Sequence, residues 1–265
     1  MVTREFIQFN TFGKSIPIRW YGISYLIGYL LVRHRCFRLL EIDKHQDKKE
    51  LLEKVSDISM LCGVVGGRFW YLINRYLHYG IPLHIDAIKL WEGGMAIQGG
   101  FLGGTVAAVA YLLVVGQRKE LPRICDVAFS QLPLGIMIGR FGNFMNQEFM
   151  QPVEIGELLS DLLGGRFEEA LYPLQLPLCL FAALTEGLAL FLLTNYWIKR
   201  KDYIPYQTTY LFFFGYGCMR LLNDLFRDEL QVGPLKISEY ICIGLIIISS
   251  VLLLRQYFSK TDHNR

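Results

Sequence analysis

Charge is what this chain has least of. Only 19% of its 265 residues are Asp, Glu, Lys or Arg, against ~25% in an average soluble domain. The formal balance is +3, too small to draw the chain to nucleic acid. Paired cysteines are absent as well. Cys36, Cys62, Cys125, Cys179, Cys218 and Cys242 stand singly, with no CxxC or Cys/His spacing. A disulfide scaffold and a zinc site are therefore excluded, no cofactor is implied, and the thiols read as small hydrophobes. Between Met1 and Pro17 no apolar run reaches signal-peptide length, so nothing there reads as cleavable.

Apolar residues fill the space that charge leaves. The AVILMFWYC set makes up 52% of the chain and aromatics 14%, with a mean hydropathy of +0.30. A soluble domain of this length does not need so much apolar surface. The composition reads as an all-α integral membrane protein, a single polytopic domain over residues 1–265. Apolar stretches of spanning length, ~20 residues each, fall at roughly 19–38, 56–77, 97–116, 124–146, 173–198, 206–226 and 237–256. Seven transmembrane helices are expected. Lys and Arg number 16 in the segments 33–54, 117–123, 199–203 and 255–265, and 8 in the alternate connections. The positive-inside bias puts the N-terminus outside and the C-terminus in the cytoplasm.

Two connections stand out. The stretch 147–172 is acidic, with six carboxylates against Arg166, and reads as a small extracytoplasmic cap. The stretch from Trp91 to Gly100 is too glycine-rich to open an ordinary helix and reads as a re-entrant arm entering from outside. No internal repeat or pair of broken helices suggests a transporter.

The chemistry lies in the charges that interrupt the apolar runs: Arg68, Arg140, Glu186, Arg220, Asp224 and Glu239. An arginine inside a span costs ~2.5–3.5 kcal/mol on insertion scales, so each should face the interior and have a partner. Three of them suggest either internal ion pairs or one shared anion, and in a membrane that anion is a lipid phosphate. Helical spacing puts Arg140, Asn143 and Gln147 on one face with Asn146 beside them, lining a polar pocket near the outer end. Equally, the asparagines would serve as interhelical glue and Arg140 as half of an ion pair. Tyr216, Arg220 and Asp224 come at i, i+4 steps with Arg227 beyond; the bland reading is an internal Arg220–Asp224 pair. Arg68, after Gly66-Gly67, reads as structural or gating, and Glu186 as paired with a neighbour. His78 and His84 read as solvated surface histidines.

The run Gly139-Arg140-Phe141-Gly142-Asn143-Phe144-Met145-Asn146-Gln147-Glu148 resembles the signature of the bacterial prolipoprotein diacylglyceryl transferases, Gly-Arg-x-Gly-Asn-Phe-x-Asn-x-Glu. Trp20-Tyr21-Gly22, Gly66-Gly67-Arg68, Trp91-x-Gly-Gly-Met95, Gly215-Tyr216-Gly217 with Arg220, and Phe226-Arg227 resemble that family in the same order. The resemblance implies transfer of a diacylglyceryl group from phosphatidylglycerol to the lipobox cysteine thiol of a preprolipoprotein signal peptide, in the bacterial cytoplasmic (inner) membrane. The expected partners are thus phosphatidylglycerol, the lipobox peptide and membrane lipid. It assigns Arg140 and Arg220 to the phosphate, and Tyr21, Asn143 and Glu148 to positioning the headgroup and the arginines. Asn146, Tyr216, Asp224 and Arg227 fall with them on the substrate-binding side.

The sequence departs from that family where the thiol must be activated. Gln98-Gly99-Gly100 stands where members have His-Gly-Gly, and an amide takes no proton at neutral pH. Gln151 replaces an expected glycine. The run from Tyr172 to Leu178 keeps only Pro and Gln of the usual His-Pro-Ser-Gln-x-Tyr-Glu, and Asp224 stands where glutamate is common. Two readings remain open. In one, an arginine-assisted thiolate reacts, with Gln98 positioning groups or Glu148 acting as base. In the other, the chain is a catalytically impaired relative that binds anionic phospholipid or lipoprotein signal peptides.

Overall fold

The computed structural model describes residues 5–11, 14–42, 49–80, 94–155, 175–227, 231–232 and 234–263. Seven long helices lie among the described residues: α1 Trp20–Ile42, α2 Lys49–Tyr79, α3 Ile97–Val114, α4 Leu121–Met145, α5 Leu178–Ile198, α6 Gln207–Asp224 and α7 Ile237–His263. Four segments, Ile97–Val114, Arg118–Met145, Leu178–Ile198 and Ile237–Ser259, are long and apolar enough to cross a membrane. The remaining three helices carry more charge: α1 has Arg33, Arg35 and Arg38, α2 has Arg68 and Arg75, and α6 has Arg220 and Asp224. Leu102, Val106, Ile247, Ile248, Val251 and Leu254 are each more than half exposed. That is the outward-facing apolar belt of a membrane protein, where lipid takes the place of a core.

The fold is not purely helical. Three two-stranded antiparallel sheets join the helices: β1 Glu5–Thr11 with β2 Lys14–Arg19, β3 Pro152–Glu154 with β4 Gln175–Pro177, and β5 Gln231–Val232 with β6 Leu235–Lys236. The β3–β4 pair accounts for α5 starting at Leu178 instead of near 173. Pro177 sits in extended backbone at φ −55, ψ 135, and cannot prolong a helix backwards. Most of the acidic stretch 147–172, the arm residues 81–93 and His84 lie outside the described residues, as does the side chain of His78.

Two glycine seams set the helix spacing. α2 and α3 pack backbone to backbone: a Cβ on Gly66 or Gly99 would collide with the other's carbonyl, and one on Gly103 would lie 2.5 Å from Cys62 O. Such close approach is open only to residues without a side chain. On α5, a Cβ on Gly187 would lie 2.6 Å from Met137 Cβ of α4. This glycine therefore brings the middle of α5 hard against α4.

Near the start of α4, Asp126 is fully buried and fully satisfied. It accepts Tyr203 Oη at 2.9 Å and Tyr206 N at 2.7 Å through Oδ2, and Thr209 N and Thr209 Oγ1, each at 2.7 Å, through Oδ1. A carboxylate borrowed from α4 thus caps the first turn of α6, whose own N-cap residue Tyr206 (φ 65) makes no side-chain cap. A second polar layer joins α1, α4 and α5: Arg35 Nε donates to Gln131 Oε1 at 2.6 Å and Arg35 Nη2 to Asn195 Oδ1 at 3.2 Å. Around these lies an apolar cluster that includes Leu40, Leu52, Leu112, Ile124 and Val127.

Candidate active site

The signature run is a helix end with a built-in reversal. α4 stops at Met145, Asn146 caps it, and Gln147 takes a left-handed conformation with φ 58. Gln147 N then reaches Phe144 O at 3.0 Å and Glu148 N reaches Asn143 O at 2.8 Å. These are the paired bonds of a Schellman closure. The reversal corrects the expectation that Gln147 continues the helical stripe of Arg140 and Asn143. It also folds Glu148 back so that Asn143 Nδ2 donates to Glu148 Oε2 at 2.7 Å. Thus Asn143 and Glu148 form one unit.

Below this closure three helices meet through charge. Glu186, fully buried on α5, takes Arg140 Nη2 on Oε2 at 2.6 Å and faces Arg220 Nη1 with Oε1 at 3.6 Å. Arg220 Nη2 lies 3.2 Å from Asp224 Oδ1, and Arg227 Nη1 lies 3.9 Å from the same oxygen. Unpaired, any of these buried ions would cost several kcal/mol; alternating signs make the set tolerable. The bland expectations for Arg140 and for Arg220–Asp224, ion pairing, are therefore both met. So is the expectation that Glu186 has a partner, although its bridging of two arginines was not legible from spacing.

Local geometry aims Glu186. Residues Ala183–Ala189 of α5 form a π-helical stretch, a widened turn that recurs at functional sites. Gly187 within it permits the close approach to α4. Neighbouring Thr185 Oγ1 accepts Asn223 Nδ2 of α6 at 2.9 Å, locking the π stretch to the helix that carries Arg220.

Polar atoms are left over. Arg140 Nε, both side-chain heteroatoms of Asn146, and Tyr216 Oη are buried without a hydrogen-bond partner among the described residues. The Tyr216 ring is fixed by stacking on Phe212 (5.8 Å between centroids, 13°) and edge-on contact with Phe101 (5.6 Å). Buried polar groups are rarely left unpaired in a native protein. Three kinds of unspent donor beside two guanidiniums make a site that can receive an oxyanion.

The outer wall of the site is built from the end of α6 and the β5–β6 hairpin beyond it. The Arg227 guanidinium lies 4.2 Å from the Phe149 ring centroid, tying α6 to the segment after the signature. Lys236, buried, donates its ammonium to Asp224 O and, at 2.5 Å, to Arg227 O, closing the C-terminal carbonyls of α6. Sequence reasoning passed over Lys236, because a single Lys in a short connection reads as a solvated charge.

The remaining candidates are less tightly placed. Gln98 occupies the first turn of α3, half-buried, and makes no side-chain hydrogen bond among the described residues. Its neighbours Ile97 and Phe101 pack on the Phe212–Tyr216 layer. Arg68 Nη1 donates to Gly94 O at 3.0 Å and Ala96 N to Gly67 O at 3.0 Å, so Arg68 anchors the entrance to α3. Gly94 there has φ 82, a conformation that favours glycine. Tyr21 lies in the first turn of α1, its side chain outside the described residues. Gln151 opens toward β3, and its carbonyl accepts Leu178 N at 2.8 Å. Among the described residues no three His, Cys, Asp or Glu side chains gather as metal ligands would.

Comparison with known proteins gives the family. A family model described as prolipoprotein diacylglyceryl transferase matches residues 8–255. Among similar proteins is one from Rickettsia conorii, 31% identical over 247 residues, covering 91% of this chain and 91% of its own. Another from Cereibacter sphaeroides is 28% identical over 97% of this chain and 94% of its own, and one from Pasteurella multocida is 28% identical over 92% and 90%. All three bear the name phosphatidylglycerol–prolipoprotein diacylglyceryl transferase. With its signature run folded into the helix closure described and its arginines gathered beneath, this chain belongs to the prolipoprotein diacylglyceryl transferase family.

Proposed function

We propose that the protein transfers the diacylglyceryl group of phosphatidylglycerol to the cysteine thiol of a prolipoprotein, forming a thioether. The thiol loses its proton, and the sulfur attacks the glycerol carbon esterified to phosphate. The carbon–oxygen bond breaks, its electron pair goes to the phosphate oxygen, and glycerol phosphate leaves. The observation that carries this reading is the pairing of buried Arg140 and Arg220 around Glu186, beside the unpartnered Arg140 Nε, Asn146 amide and Tyr216 hydroxyl. Such a set can grip a phosphodiester and stabilise the charge that grows on it as the bond breaks.

In this reading Arg140 and Arg220 hold the phosphate and Asn143 and Glu148 keep the helix end in register. Tyr21, Asn146, Tyr216, Asp224 and Arg227 complete the headgroup site. Gln98 positions groups near the thiol. A thiol of pKa ~8.5 is already a few per cent thiolate at neutral pH, and nearby guanidiniums raise that share. Loss of a general base costs ~10²–10⁴-fold, which slows turnover without abolishing it. All seven helices cross the bacterial cytoplasmic membrane as one domain, with the N-terminus outside and the C-terminus in the cytoplasm. Because α3 already runs as a helix through residues 97–100, only the part of the glycine-rich arm before it is read as re-entrant, with 147–172 as the outer cap. The acceptor is a signal peptide presenting a lipobox cysteine.

A second reading is favoured by one observation, the glutamine at position 98: an impaired relative that binds anionic phospholipid or signal peptide without transfer. Purified protein, phosphatidylglycerol and a lipobox peptide decide between them, with Arg140→Ala and Gln98→His alongside. Transfer by wild type that is lost in Arg140→Ala supports the transferase. Silence in wild type with gain in Gln98→His means that only the base is missing. Silence in all three folded proteins supports the binding relative.

A further inference from the structure

We infer that Glu186 is a positioning residue of the reaction, which sets the spacing of Arg140 and Arg220 and whose negative charge favours a singly charged phosphodiester over a doubly charged phosphate monoester. The inference rests on the transferase reading and adds a residue that the family signature does not contain.

The geometry comes first. Each carboxylate oxygen of Glu186 faces a different arginine, Oε2 toward Arg140 and Oε1 toward Arg220. The two guanidiniums come from α4 and α6, and the carboxylate spans the gap between them from α5. It is aimed there by the π stretch, by Gly187 against Met137, and by the Thr185–Asn223 bond. Oε2 hydrogen-bonds Arg140 Nη2, while Oε1 pairs with Arg220 Nη1 at 3.6 Å through charge alone. Arg140 Nε, the Asn146 amide and Tyr216 Oη remain for the ligand.

Charge gives the second argument. Glu186 places a fixed negative charge between Arg140 and Arg220, so any anion held by the two arginines also faces that carboxylate. A phosphodiester carries one negative charge. The product is a phosphate monoester, which carries nearly two above its second pKa of about 6. The fixed carboxylate of Glu186 therefore repels it more strongly than it repels the substrate. Glu186 thereby favours substrate over product as well as holding the arginines apart.

The test compares wild type, Glu186→Gln and Glu186→Asp, each checked for folding by its melting midpoint. Transfer is measured against phosphatidylglycerol concentration, and glycerol phosphate binding is read separately by calorimetry above the second phosphate pKa. Glu186→Gln keeps the size but removes the negative charge between the two arginines. It should lower kcat by ~10²-fold through misplaced arginines, while KM falls and glycerol phosphate binds about tenfold more tightly. Glu186→Asp keeps the charge but withdraws it by one methylene, so kcat falls while glycerol phosphate affinity stays at the wild-type value. A role in folding alone would lower the melting midpoint and leave KM and product affinity unmoved, and that result overturns the inference. Should Glu186→Gln not fold, wild-type kcat in Glu186→Asp would also overturn it. A wild type without transfer sinks the transferase reading, whereas glycerol phosphate affinity in Glu186→Gln still decides the charge role.

Discussion

Thr209 gives Asp126 both its backbone N–H and its hydroxyl, each at 2.7 Å from the same oxygen. This pair of hydrogen bonds between α4 and the first turn of α6 fixes the two arginine-bearing helices near their N-terminal ends. Glu186 bridges them farther along, so the distance between Arg140 and Arg220 is set from two levels.

Replacing Asp126 by Ala should therefore destabilise the fold. It strips four donors of their acceptor, and hydrogen bonds to a charged group are worth about 1.5–3 kcal/mol each when removed singly. Thr209→Val, which deletes one donor and keeps the shape, should cost about 1 kcal/mol or somewhat more. Thermal melting in detergent ranks the two, with Asp126→Ala expected well below Thr209→Val.

The same anchor has an alkaline signature. Tyr203 lies in the connection before α6, and burial first, then the Asp126 carboxylate, hold its phenol above the ordinary 10.0. The folded state thus keeps a proton that the unfolded chain releases. Its contribution is fully present below pH ~10 and is lost as pH rises toward the folded pKa. Wild type should lose melting temperature above pH ~10 more steeply than Tyr203→Phe. Parallel pH–melting curves would sink this account.

Arg140 and Glu186 should couple strongly. Removing one partner leaves a buried charge, which costs about 3–5 kcal/mol, whereas removing both costs much less. Arg140→Gln should lose transfer and melt early. Arg140→Gln with Glu186→Gln should recover much of the melting temperature and none of the activity. Additive melting shifts in this cycle would mean that the 2.6 Å contact carries no coupling.

The helix closure after α4 predicts a gain. Gln147 sits at φ 58, where a side chain costs ~1–2 kcal/mol and glycine costs nothing sterically. Gln147→Gly should raise stability by roughly 0.5–1 kcal/mol after glycine's entropy is deducted. A lower melting midpoint would show that the Gln147 side chain contributes more than its backbone costs.

Thiol activation is read from pH. With Gln98 in place of a histidine, the transfer rate should climb through the thiol range near ~8.5 with no inflection near ~6.5. Gln98→His should introduce that inflection. An inflection already present in wild type would identify a histidine base elsewhere, His84 first.

What the sequence disclosed came from what is local. Arg140, Asn143 and Glu148 lie within nine residues, and the cost of an intramembrane arginine marks them from composition alone. Gly66-Gly67 allow a close helix approach, whereas Gly99, which reads as irregular backbone in the sequence, packs α3 onto α2. What was hidden depends on partners far along the chain. Glu186 bridges residues 46 positions before it and 34 after it, and only its isolation in an apolar run hinted at a partner. Asp126 carries no signal in the sequence, because nothing in its neighbourhood reveals a helix start some 80 residues downstream. The β1–β2 hairpin stayed hidden although its residues alternate, since two strands this short are outweighed by the spanning run beside them.

The ion chain also constrains how the protein is made. Arg140, Glu186 and Arg220 leave the ribosome in that order, on three successive long helices. A nascent chain that ends after α4 presents an arginine to the lipid without its carboxylate, at a cost of ~2.5–3.5 kcal/mol. Stable placement of α4 is therefore expected to wait for α5, whose carboxylate in turn faces Arg220 only once α6 packs against it. The charges that serve the finished site thereby also tie the three helices together as they assemble.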